Sequence, residues 1–235
     1  MGILRKIRIK VKALVDLVSS SIEEWFDKVI ERFNKWYSRY KYFVEKETYI
    51  DDVKQIESTY SANQQDKELA NECQRYLDLV LPNGLTEVLE PMSDQERLDF
   101  VKNLVNELSN LMSVNISRVD FFSPTSLQEA GTMGVFLSDE NTIYLNAMFL
   151  INLEEPKFTE NMVRTILHEL KHARQYAAIE DNTVFGYSQE ILEVWRYNLA
   201  YYIRPEECDE AYRKQPVEAD AYGWANLIHI NAETL

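Results

Sequence analysis

Residues 165–175 read TILHELKHARQ, and within them His168, Glu169 and His172 have the types and spacing of a hydrolytic metal site. In an H-E-x-x-H pattern two imidazoles one helical turn apart can share an ion, while the carboxylate between them works on the water that the ion activates. That chemistry requires a helix. At about 100° per residue His172 lies roughly 40° around the axis from His168, and Glu169 roughly 60° beyond His172, so the three share a face. Val163, Ile166, Leu167, Leu170, Ala173 and Ala177 gather on the other side, as expected of a helix with a packed back and an open front. The bland alternative is a surface helix carrying two solvated histidines. Against it stands economy: the chain has only three histidines and spends two of them here.

A catalytic zinc ion takes three protein ligands and keeps a fourth position open, so a third donor must come from elsewhere. The leading candidate is Glu218, in the segment QPVEADAYGWA at residues 215–225 and 46 residues after His172. That distance leaves room for one intervening helix. Two rivals remain, Asp220 and His229. His229 lies about 16 Å from Glu218 along a straight helix at 1.5 Å per residue, and Asp220 points about 200° away from Glu218, so only one of the three can serve one ion. Tyr222, Tyr187, Tyr212 and His229 are candidate donors to a developing oxyanion, and Gln175 is a candidate to orient a ligand.

The elements that must position these groups are also patterned. From about Ile7 to Val44 apolar residues recur at Val15, Val18, Ile22, Trp25/Phe26, Val29, Phe33, Trp36/Tyr37, Tyr40 and Phe43, predicting a long amphipathic helix, or two, with an aromatic stripe. Residues 45–66 are polar and read as a linker, which divides the chain into an N-terminal extension, 1–63, and a main domain, 64–235. Helices are predicted over 67–81 and from a Ser93/Glu96 capping box to about Met112. Short β-rich runs follow at 115–122, 132–138 and 142–146, predicting a small antiparallel sheet of about three strands just before the histidine helix. That helix is expected from Pro156 or Thr159 to about Ala178, another over 188–203, and a last one opened by Pro216. The class is α+β, mainly helical.

Net charge is −14, yet five of the 25 basic residues lie within residues 1–12, leaving 20 against 39 acidic ones in the rest. An acidic body of this kind excludes nucleic-acid binding through a general phosphate footprint. Cys73 and Cys208 have no C-x-x-C spacing and predict neither a zinc ribbon nor a disulfide framework, which favours a cytoplasmic, reducing location. Asp16, Glu23 and Glu24 interrupt what would be a signal-peptide core, and Lys6 stands where an acylation signal after Gly2 needs Ser or Thr. The basic, aromatic segment 1–45 suits contact with a partner protein or peripheral contact with an anionic membrane surface. Oligomeric state is not legible.

The strand pair, then ILHELKHARQ, then EADAYGWA resembles the gluzincin zinc metallopeptidases, most closely the small ImmA/IrrE-type branch, over about residues 115–230. The resemblance implies a zincin-like core, Zn2+ held by His168, His172 and Glu218, Glu169 as general base, and a protein or peptide substrate. Lys171 departs from it, occupying a place where that branch often has Gly, and the N-terminal aromatic segment has no counterpart in it. A reading from a different class is a catalytically silent zinc-binding scaffold or interaction protein that works through its N-terminal aromatic helix.

Overall fold

The computed structural model describes residues 28, 31–32, 34–35, 37–39, 41–42, 44–56, 62–124, 132–151, 153 and 156–230, with backbone only for 156–160. The chain forms two compact units, Met1–Asp52 and Val53–Leu235. In the first, the described residues are helical; most of the predicted aromatic stripe, and the basic start of the chain, lie outside them. No helix among the described residues is long and apolar enough to cross a membrane.

The second unit opens with helix α1, Gln64–Val80. It starts ahead of the predicted Lys67 because Asn63 caps it, its side chain accepting from the Asp66 amide at 2.7 Å. Gly84, at φ 97°, turns the chain into a short α2, Leu85–Leu89. Helix α3, Asp94–Leu111, carries the expected capping box, Ser93 and Glu96 each satisfying the other's amide. The strands β1, Arg118–Phe122, β2, Gly134–Leu137, and β3, Thr142–Asn146, follow, and then α4, Met148–Ile151.

The sheet corrects one expectation. It is mixed rather than antiparallel: its order is β1-β3-β2, with β1 parallel and β2 antiparallel to β3. The reason is connection length. Only β2 and β3 are joined by a tight turn, at residues 138–141, whereas eleven residues separate β1 from β2, so β1 is free to pair with β3 from the other side. β3 is therefore the central strand, and β2 is left as an edge.

Helix α5, Pro156–Glu180, carries the histidines and runs through the middle of the unit. It packs on β2 and on helices before and after it. Val163, Ile166, Leu167 and Leu170 join Leu104, Val105 and Leu108 of α3 and Ile143 and Leu145 of β3 in one core. The open front predicted for this helix is largely covered, since every residue from Ile166 to Gln175 is buried. After α6, Gln189–Ala200, the chain leaves the helix three residues before the predicted Ile203. Gln215 accounts for this: its side-chain amide accepts from the Ile203 amide at 3.0 Å and donates to the Ile203 carbonyl at 2.7 Å, taking both backbone groups out of the helical pattern. α7, Asp209–Lys214, and α8, Pro216–Ala225, complete the unit, with Pro216 in the first turn of α8 as predicted.

Candidate metal centre

Three side chains predicted from sequence converge. His168 and His172 project from α5, and Glu218 from the first turn of α8. The His168 and His172 Nε2 atoms are 3.0 Å apart, and they lie 3.2 and 3.3 Å from the Glu218 oxygens Oε2 and Oε1. A four-coordinate ion with bonds of about 2.0–2.2 Å sets its donors roughly 3.3–3.6 Å apart, so this buried group could hold a metal ion with little movement. Two buried polar atoms of the described residues have no hydrogen-bond partner, and both belong to this group: His168 Nδ1 and Glu218 Oε2. Although His168 lies within ion-pair distance of Oε2, that contact lacks hydrogen-bond alignment, which leaves the oxygen available as a ligand.

The electrostatics agree. Burial alone would strip His172 of its proton, but the Glu218 carboxylate outweighs it and raises the imidazole to about 9. Burial pushes Glu218 up, and His172 and His168 more than reverse that, holding it below the usual carboxylate range.

Supporting groups hold two of the three side chains. Gln175 Oε1 lies 2.9 Å from His172 Nδ1 and so orients that imidazole. Tyr202 donates to Glu218 Oε1 at 2.5 Å. Sequence reasoning missed Tyr202, because nothing in its spacing relates it to the histidines. It is set in place by the Gln215 clamp on Ile203, and Gln215 is in turn held by Asn198, whose side chain also caps the Val217 amide at 2.9 Å. Two buried amides thus align the loop bearing Tyr202 with the helix bearing Glu218.

The rivals for third ligand fall elsewhere. Asp220 faces away from the imidazoles, accepting from Gln175 Nε2 at 2.7 Å and pairing with Lys171 at 3.4 Å. His229 is exposed, its backbone bound to Gln74. Tyr187 is buried behind α5 on Lys171 and Arg174, so neither it nor His229 can serve an oxyanion at this site. Tyr222 and Tyr212 remain: both line the cleft in front of the histidines, and the Tyr222 ring packs on His168 at 4.3 Å between centroids. Comparison with protein-family models, with curated proteins and with solved structures finds no match.

The cleft measures about 800 Å³. Its floor is α5, through Asn161, Arg164, Thr165, His168 and Glu169; one wall is residues 132–135 and the other is formed by Tyr202, Glu206, Tyr212 and Tyr222. Glu169 is pinned to the first wall, its Oε2 accepting from the Phe136 amide at 2.8 Å. That approach needs a small residue next to it: a Cβ on Gly134 would sit 2.7 Å from Thr165 Cγ2.

Proposed function

We propose that this chain is a zinc-dependent metallopeptidase, with His168, His172 and Glu218 as zinc ligands and Glu169 as general base. The observation that carries the reading is the convergence of two imidazoles and one carboxylate at near-tetrahedral spacing, reached from a peptide-sized cleft through His168, with the Glu169 carboxylate beside it on the cleft floor. Two neutral nitrogens and one carboxylate are a donor set that suits zinc. When bound, zinc supplies Lewis acidity that lowers the pKa of water toward about 7 and polarises the scissile carbonyl.

The protein's own groups do the rest. With Oε2 of Glu169 held by the Phe136 amide, Oε1 is the oxygen left to accept the proton of the attacking water and pass it to the leaving amine. Of Tyr212 and Tyr222, Tyr222 is the better placed oxyanion donor, because its ring stands over His168 at the cleft; Tyr202 is committed to Glu218. The Met133 carbonyl accepts from Asn146 in the central strand, so by antiparallel alternation Gly134 turns its amide and carbonyl outward. An extended peptide laid along β2 would pair with Gly134 and bring its backbone over the histidines. Such binding reads the substrate's main chain more than its side chains.

The test measures zinc content and cleavage of casein or a peptide library for the wild type and for Glu169→Gln. The expected result is one zinc per chain in both and cleavage by the wild type alone. Zinc bound with no cleavage by either form favours a silent zinc-binding scaffold instead.

A further inference from the structure

Behind the metal face lies a second buried polar cluster that the proposed chemistry does not use. Lys171, between the two histidine ligands in sequence, is completely buried; its Nζ lies 3.0 Å from Asp66 Oδ1 and 3.4 Å from Asp220 Oδ2 and donates to the Tyr187 hydroxyl at 3.2 Å. The rings of Tyr187, Trp195 and Trp224 surround the ammonium at 5.3–5.9 Å. A charge so far from water persists only where opposite charges hold it, and here they come from α1 and α8.

The cluster reaches the metal centre through one side chain. Asp220 Oδ2 and the Val217 carbonyl both accept from Gln175 Nε2, at 2.7 and 2.9 Å. With its amide nitrogen committed to two acceptors, Gln175 can present only its oxygen to His172 Nδ1. A carbonyl oxygen only accepts, so Nδ1 must carry a hydrogen, and in the neutral ring that a metal requires the bare nitrogen is then Nε2, the one facing Glu218. A reversed amide would do the opposite: it would donate to Nδ1 and place the hydrogen on Nε2, where a metal must bind. The orientation of one amide therefore decides whether His172 is a ligand.

We propose that Lys171 and Asp220 are positioning residues for the metal centre: the lysine anchors the Asp220 carboxylate, which selects the Gln175 orientation that keeps His172 Nε2 free to coordinate. Asp66 extends the same chain to the start of α1, so packing of that helix and metal affinity are linked. The inference rests on the metallopeptidase reading, but it concerns binding and is tested without activity.

The experiment measures the zinc dissociation constant by competition with a chromophoric chelator for the wild type, Asp220→Asn, Gln175→Met and the double variant. Loss of one such supporting contact typically costs about 10–100-fold in metal affinity. The expected result is a loss of that size for Asp220→Asn alone and no additional loss when Gln175 is already Met. Wild-type affinity for Asp220→Asn, or an equal loss in both backgrounds as from a purely structural role, overturns the proposal. Should Asp220→Asn fail to fold, Asp220→Ser takes its place: a loss that vanishes in the Gln175→Met background is expected, and unchanged affinity or an equal loss in both backgrounds overturns the proposal. A wild type that binds no zinc, or a His172→Ala variant that binds it unchanged, would instead defeat the underlying metallopeptidase reading.

Discussion

Two buried polar clusters lie back to back across α5, and they differ in one respect. The Asp66–Lys171–Asp220–Tyr187 cluster leaves no buried side-chain nitrogen or oxygen without a partner, whereas the His168–His172–Glu218 cluster leaves two. A buried polar atom without a partner costs roughly 1–3 kcal/mol, and of these two Glu218 Oε2 is the one beside the imidazole Nε2 atoms, where an ion would satisfy it; His168 Nδ1 is the other nitrogen of its ring and would not bind the same ion. Buried charge by itself thus does not mark a site here. What sets the candidate metal group apart is a carboxylate oxygen left without a partner beside two imidazoles.

The largest effect that would test this contrast belongs to Glu169, on the cleft side. Glu169→Gln keeps its size and its contact with the Phe136 amide but cannot take a proton, so peptide cleavage should fall by about 10²–10⁴-fold with zinc content unchanged. Full activity in that variant would remove the functional half of the comparison. On the satisfied side, Lys171→Met strands Asp66 and Asp220 without their cation, and urea unfolding of the metal-free protein should show a loss of about 3–5 kcal/mol. A neutral outcome would mean the second cluster is not held together by charge.

The third prediction uses pH to tell the two clusters apart. His172 is raised above its ordinary 6.5 to about 9 in the metal-free fold, so its pairing with Glu218 stabilises fully below about 6.5 and is lost as pH rises through about 9. Zinc must displace that proton. Apparent zinc affinity should therefore climb by about tenfold per pH unit from neutrality and level off above about 9, with proton release in calorimetry at pH 7.5. A flat profile over that range would show that His172 is already bare, and that the incomplete cluster is complete without metal.

The sequence displayed the front of this arrangement far better than its back. His168, Glu169 and His172 are local, within five residues of one helix, so a period of 3.6 suffices to bring them together. Glu218 was legible because Pro216 marks a helix start and a carboxylate in its first turn has a narrow range of directions. Lys171 and Asp66 stand 105 residues apart, and no periodicity links them; a lysine in a helix normally reads as solvated, and its burial follows only once α1, α6 and α8 close around it. Tyr202 was hidden for the same reason. The mixed sheet was missed because turn chemistry fixes only the β2–β3 hairpin, while the partner of β1 depends on a long connection whose path no local residue dictates.

The smallest expected effect separates the two tyrosines that face the site. Tyr202→Phe removes the hydrogen bond to Glu218 Oε1 along with the hydroxyl's contact to Tyr212, and a bond to a charged group contributes about 1.5 kcal/mol, so zinc affinity should fall by roughly tenfold. Tyr222→Phe leaves the ligands and the packing on His168 in place, so affinity should hold while kcat drops, since only the transition state gains from a donor at that position. The reverse pattern, affinity lost with Tyr222 and kcat with Tyr202, would exchange their roles. The carboxylate would then be held from the cleft side, and the satisfied and unsatisfied clusters would no longer divide cleanly between structure and chemistry.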